Sequence, residues 1–124
     1  MKLETGIDLV EISRIEQAIQ RLGQRFLNRI YTPDELAYCH GRLPQLAARF
    51  AAKEAVGKVL GTGLWRDGVN WQQIEVSNDK GGKPYLKLSG SAAEHAAILG
   101  LNQWSISLTH TETQAMAFVV ATGE

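Results

Sequence analysis

The sequence predicts an α+β fold, a small antiparallel sheet packed against a helical layer that includes one long central helix. Three observations carry this. Gln45–Leu60 holds ten apolar residues in sixteen, spread around nearly the whole helical circumference, as in a buried helix. Trp104, Ile106 and Leu108 alternate with Ser105, Ser107 and Thr109, as on a half-buried strand. Ala115–Ala121 is a continuous apolar run, placed to pair antiparallel with that strand across a turn at Thr111–Gln114.

The remaining elements follow in order. Leu3–Leu9 reads as a short strand, with Gly6 marking a close backbone approach or a bend. Ile12, Ile15, Ile19 and Leu22 recur at spacings of three and four, predicting a helix from Glu11 to about Leu22 with Gly23 as its stop. Thr32-Pro33-Asp34-Glu35 starts another helix: a capping side chain, proline at the first position, then two acids in the first turn. It ends near Gly41, and Gly61-Thr62-Gly63 closes the long Gln45–Leu60 helix. Ile74–Val76 and Tyr85–Leu88 flank a hairpin loop at 78–84, and Ser91–Leu99 is a helix stopped by Gly100. No repeat and no linker rich in proline and serine interrupts the chain, so residues 1–124 are expected to form one domain.

With 44% hydrophobic and 21% charged residues, a packed core is expected rather than disorder. Thirteen basic side chains against thirteen acidic ones argue against a polybasic nucleic-acid binder. One cysteine excludes a disulfide framework and a cysteine-rich zinc site. No apolar run approaches ~18 residues, so no membrane helix is expected. Asp8 and Glu11 stand where a signal peptide needs an apolar stretch, and a cytoplasmic protein is expected. The neutral total hides a local excess: Ile12–Arg29 holds four arginines and one acid.

The long helix carries Arg49, Lys53, Glu54 and Lys58 among its apolar residues, and buried charges need partners. Glu54 and Lys58, four apart, are either an ordinary surface ion pair or a carboxylate for a metal beside an amine for a phosphate. Asp8, near a strand end, is either a cap or a second carboxylate. Two carboxylates with water completing the shell suit Mg²⁺ and a substrate phosphate. Arg14, Arg21 and Arg25 fall within roughly 40° on one continuous helix, either a solvated face or a docking strip for an acidic partner. No glycine-rich phosphate loop of the P-loop or Rossmann kind is present. His110, at a strand end, reads as a hydrogen-bonded structural residue; His40 and His95 lack metal-ligand spacing, and Cys39 reads as inert.

Gly6-Ile7-Asp8-Leu9-Val10-Glu11-Ile12 with Arg14, and the Arg49–Gly63 block, resemble the two motifs of the holo-acyl-carrier-protein synthases, small bacterial 4′-phosphopantetheinyl transferases. Asn78–Pro84 and Ser107–Thr111 extend the resemblance over nearly the whole chain. It implies transfer of 4′-phosphopantetheine from coenzyme A to a serine of an apo-acyl carrier protein, in fatty-acid biosynthesis, with release of adenosine 3′,5′-bisphosphate. It further implies that Asp8 and Glu54 hold Mg²⁺, with a metal-associated water as base. Lys58 would contact the phosphate, Arg49, Gly61, His110 and Thr111 would line the coenzyme A site, and Arg14, Arg21 and Arg25 would grip the carrier protein. A homotrimer with active sites between subunits is implied as well. Gly57 departs from the family pattern, where serine or alanine is common. Two rival readings of the same residues remain at this point: another Mg²⁺-dependent phosphoester enzyme built on Asp8 and Glu54, and a non-catalytic module that docks an acidic helix through its arginines.

Overall fold

The predicted C-terminal hairpin forms, and the N-terminal strand joins it. The computed structural model describes residues 1–64 and 66–124. In chain order the principal elements are β1 (Lys2–Glu11), α1 (Ile12–Leu22), α2 (Gln24–Ile30), α3 (Pro33–Cys39), α4 (Leu43–Leu60), 3₁₀ turns at Arg66–Gly68 and Trp71–Gln73, β2 (Ile74–Asn78), β3 (Pro84–Leu88), α5 (Gly90–Ile98), β4 (Gln103–His110) and β5 (Gln114–Gly123). β1, β5 and β4 make an antiparallel sheet in that order, while β2 and β3 pair separately, so the single small sheet expected is in fact two.

Alternation splits the larger sheet into two faces. Gly6 and Val10 of β1, Ala115, Ala117, Val119 and Ala121 of β5, and Ile106 of β4 are buried on one face. α4 packs across that face, chiefly on β1 and β5. Both surfaces are built of small residues, so backbone and backbone come close: a Cβ on Gly6 would sit 2.2 Å from the main-chain oxygen of Ala55. The expectation at Gly6 therefore holds in its close-approach form. The helix is buried nearly all round, including Arg49 at 2% and Lys53 at 0% exposure, as its apolar circumference requires.

The boundaries differ where local signals compete. β1 runs on to Glu11, and α1 starts at Ile12, because the register with β5 continues to Glu11↔Gln114. α4 begins at Leu43, two residues early, with Pro44 accommodated in its first turn. α2 was not expected; Phe26, Leu27 and Ile30 give it an inward face too short to read as periodicity. Gly23 takes φ 58°, ψ −132°, its N–H closing α1 on Ile19 O, so α1 and α2 are not one continuous helix. The proposed single stripe of Arg14, Arg21 and Arg25 is corrected accordingly: Arg25 stands on the second helix, across a break. α3 has the predicted cap in full, Thr32 Oγ1 accepting from Glu35 N and Glu35 Oε1 accepting from Thr32 N. At Gly57 an added Cβ would meet the backbone of Gly63 at 3.2 Å, so the glycine lets the Gly61–Gly63 turn fold tightly against α4.

Candidate active site

Asp8 shares the inner face of β1 with Gly6, two residues away, so the same close approach that needs Gly6 brings Asp8 over the C-terminal half of α4. There Lys58 Nζ donates to Asp8 Oδ1 at 3.2 Å and to Ile7 O at 2.8 Å. The Glu54–Lys58 pair that spacing alone allowed does not form; Lys58 pairs with Asp8 instead. Its side chain is 57% exposed, so the ammonium stays within reach of a ligand. Glu54 is half-buried. Burial first, and then the nearby Asp8 charge, hold its carboxyl above the usual range, while Lys58 and Arg14 pull it back down. The structure thus sets Asp8 and Arg14, from the start of the chain, near enough to Glu54 on α4 for their charges to act on it, with Lys58 bonded to Asp8.

Hard oxygen donors, with no histidine or cysteine grouped with them among the described residues, fit a divalent cation of the Mg²⁺ type. Among the described residues no cluster of three or more histidine, cysteine, aspartate or glutamate side chains gathers anywhere. Two carboxylates therefore suit an ion that leaves most of its shell to water and phosphate.

A cavity of about 350 Å³ opens beside the N-terminal half of α4, lined by Arg49, Gln45, Tyr38, Asn78, Lys83 and His110 among others. Arg49 Nη2 donates to Asn78 Oδ1 at 2.6 Å, and its guanidinium lies 4.6 Å over the Tyr38 ring. Its Nε is buried without a hydrogen-bond partner among the described residues, a cost a bound acceptor would relieve. Arg49 and Glu54 are five residues apart, a rise of about 7.5 Å along the helix. Gly61 and Thr111 do not line this cavity. Gly61 is the left-handed cap of α4, and Thr111 Oγ1 accepts from Thr113 N and Gln114 N to close the β4–β5 turn. Tyr38, Gln45 and Lys83 escaped the sequence reading; the only signal was Lys83 in the hairpin loop, since the other two face the cavity through tertiary packing.

Arg14, Arg21 and Arg25 are all exposed. Arg25 also borders a groove of about 340 Å³ whose walls include Leu22, Phe26, Ile30, Phe50 and Trp71. Phe26 stacks toward Phe50, centroids 6.4 Å apart, and Phe50 on Trp71 at 4.9 Å. Cys39 is fully buried, and burial pushes its thiol up, consistent with an inert role. No helix among the described residues is long and apolar enough to cross a membrane.

The chain is similar throughout its length to proteins of one kind. It is 51% identical to a holo-[acyl-carrier-protein] synthase of Herpetosiphon aurantiacus, over 98% of this chain and 99% of the relative. The Helicobacter pylori holo-[acyl-carrier-protein] synthase in complex with coenzyme A superposes with a TM-score of 0.86 at 31% identity, covering 95% of this chain and 99% of the other. The Neisseria meningitidis synthase superposes at 0.87 with 36% identity, covering 96% and 97%. A model of the 4′-phosphopantetheinyl transferase superfamily matches residues 4–119, and with the family's α+β architecture and both of its sequence motifs in place, the chain belongs to that superfamily.

Proposed function

We propose that Asp8, Glu54 and Lys58 form the reaction centre of a phosphopantetheinyl transferase that spans residues 1–124, with Mg²⁺ held by Asp8 and Glu54. The reaction moves 4′-phosphopantetheine from coenzyme A to a serine of an apo-acyl carrier protein. The serine oxygen forms a bond to the β-phosphorus, the bridging P–O bond breaks, adenosine 3′,5′-bisphosphate leaves, and the serine proton passes to a water. The carrying observation is the meeting of Asp8, Glu54 and Lys58 where β1 crosses α4.

Mg²⁺, when bound, would neutralise pyrophosphate charge. The protein's own groups do the rest. Lys58 is free to swing from Asp8 to a phosphate oxygen and offset charge on the leaving bisphosphate. Arg49, with His110 and Lys83 on the same cavity wall, supplies donors for the adenosine end of coenzyme A. The rise between Arg49 and Glu54 sets the distance between those two ends. Exposed Arg14, Arg21 and Arg25 steer an acidic carrier, whose apolar side chains would enter the groove of Phe26, Phe50 and Trp71.

Incubation with Mg²⁺, coenzyme A and an apo-carrier protein, followed by mass spectrometry of the carrier, tests the reaction. Gain of one phosphopantetheine mass is expected; hydrolysis of nucleotides with no acceptor present would favour the phosphoesterase reading instead. Arg25→Glu is expected to raise the KM for carrier about tenfold and to flatten its salt dependence, with the KM for coenzyme A unchanged.

We also read the protein as a homotrimer whose neighbour completes each site. Supporting this, the β1–β5 side of the larger sheet's outer face carries exposed apolar side chains: Leu3, Ile7, Leu9 and Phe118 are 61%, 51%, 50% and 41% exposed. Cross-strand pairing puts Ile7 beside Phe118 and Leu9 beside Met116 in one patch. A second protomer there would also add to the coenzyme A site, to which Gly61 and Thr111 would then contribute. Sedimentation is expected to give the mass of three chains, and Phe118→Glu to give monomers with weakened coenzyme A binding.

A further inference from the structure

Lys53 and Glu35 lie at the centre of the molecule, both side chains fully buried, and neither takes part in the chemistry above. Lys53 Nζ donates to Glu35 Oε1 at 2.6 Å, Ile30 O at 2.7 Å and Trp71 O at 3.1 Å, which uses all three ammonium donors. Glu35 also accepts from Thr32 N at 2.9 Å and Val76 N at 2.8 Å. One buried pair therefore ties together α2, α3, α4, β2 and the Trp71–Gln73 turn.

The contacts concentrate on the C-terminus of α2, where a helix leaves its last carbonyls without partners. Ile30 O is taken by Lys53; Asn28 O and Tyr31 O are taken by Gln72 Nε2. The end of α2 is thus held by side chains from α4 and from the Trp71–Gln73 turn. A buried ion pair is a weak source of net stability, because desolvation offsets its attraction, and its best-attested use is to fix register. What is registered here is the groove: Ile30 and Trp71, whose carbonyls Lys53 grips, form its walls with Phe50 of the same helix.

We propose that Lys53 and Glu35, assisted by Gln72, are positioning residues for carrier-protein recognition: they set the separation of α2 and Trp71 across α4, and so the width of the groove that receives the carrier. This rests on the reading of that groove as the carrier surface. Neither residue touches substrate.

The test is steady-state kinetics of the full-length enzyme with the substrates varied separately. Lys53→Met/Glu35→Gln removes both charges at similar volume and leaves no unpaired ion behind. It is expected to stay folded by circular dichroism, with the KM for carrier raised about tenfold and kcat and the KM for coenzyme A within about twofold. Exposed Gln72→Ala, which does not disturb the core, is expected to raise the carrier KM alone by about threefold. Phe26→Ala controls for the groove itself. If Phe26→Ala leaves the carrier KM unchanged, the docking reading fails and this inference with it. If Phe26→Ala raises the carrier KM but neither Gln72→Ala nor a folded double variant does, only the positioning role is overturned. A fall of kcat and a rise of both KM values together would mark a merely structural pair, and would overturn it too.

Discussion

Gly6→Ala is expected to lower the melting temperature by about 10 °C or more and kcat/KM on the order of a hundredfold. The new methyl would stand 2.2 Å from Ala55 O and 2.9 Å from Val59 Cγ2. The valine end can turn away, but Ala55 O belongs to the main chain in the middle of α4 and cannot move without breaking the helix. An unstrained carbon–oxygen contact needs about 3.3 Å, so the strand must retreat by about 1 Å. Asp8, two residues along the same strand, retreats with it. The bonds from Lys58 to Ile7 O at 2.8 Å and Asp8 Oδ1 at 3.2 Å would be lost. Displacement of a reacting group by that much is enough for the predicted kinetic loss. Thermal melts and the carrier-mass assay check both parts; a variant with unchanged melting and activity would show that strand and helix do not approach closely.

Glu54→Gln is expected to act in opposite directions on activity and stability. Activity should fall at least about a hundredfold, since a neutral amide is a poor ligand for a hard cation. Stability without Mg²⁺ should rise. The pKa of Glu54 is raised in the fold by burial and by Asp8, so the native state favours its neutral form. Above the folded pKa the ionised group costs stability; as pH falls through that value toward the ordinary carboxylate range the cost disappears. Glutamine removes the cost at every pH. Differential scanning calorimetry should therefore show the variant melting above the parent at neutral pH in chelator, the gap closing as pH is lowered. Added Mg²⁺ should raise the melting temperature of the parent and leave the variant unmoved. A carboxylate kept where it destabilises the empty protein is what a metal ligand requires. A variant that melts lower than the parent in chelator would mean that Glu54 is structural.

Local chemistry was legible wherever neighbours in sequence are also neighbours in space. The Thr32 capping box is written in four consecutive residues, and the alternation of Trp104–Thr109 fixes which side of β4 faces the core. The apolar circumference of α4 announced its burial before any partner was known. The short α2 was not legible, because a seven-residue helix gives the period too little room. The stop at Gly23 was legible, but not that the chain resumes at once as α2 and carries Arg25 off the stripe.

The candidate site divides the same way. The chain alone singles out Asp8, Arg49, Glu54 and Lys58 as candidates, charged groups on a strand and on a helix that is otherwise largely apolar. Which of them meet in space was settled by packing. It gave Lys58 to Asp8 rather than to Glu54 four residues away, and it sent Lys53, next to Glu54 in the chain, to the opposite task of binding Glu35 and the end of α2. Helical neighbours at that spacing gain little from pairing, so the packing of strand on helix decides: it lays Asp8 against the exposed Lys58, while complete burial obliges Lys53 to find Glu35 and the carbonyls around it.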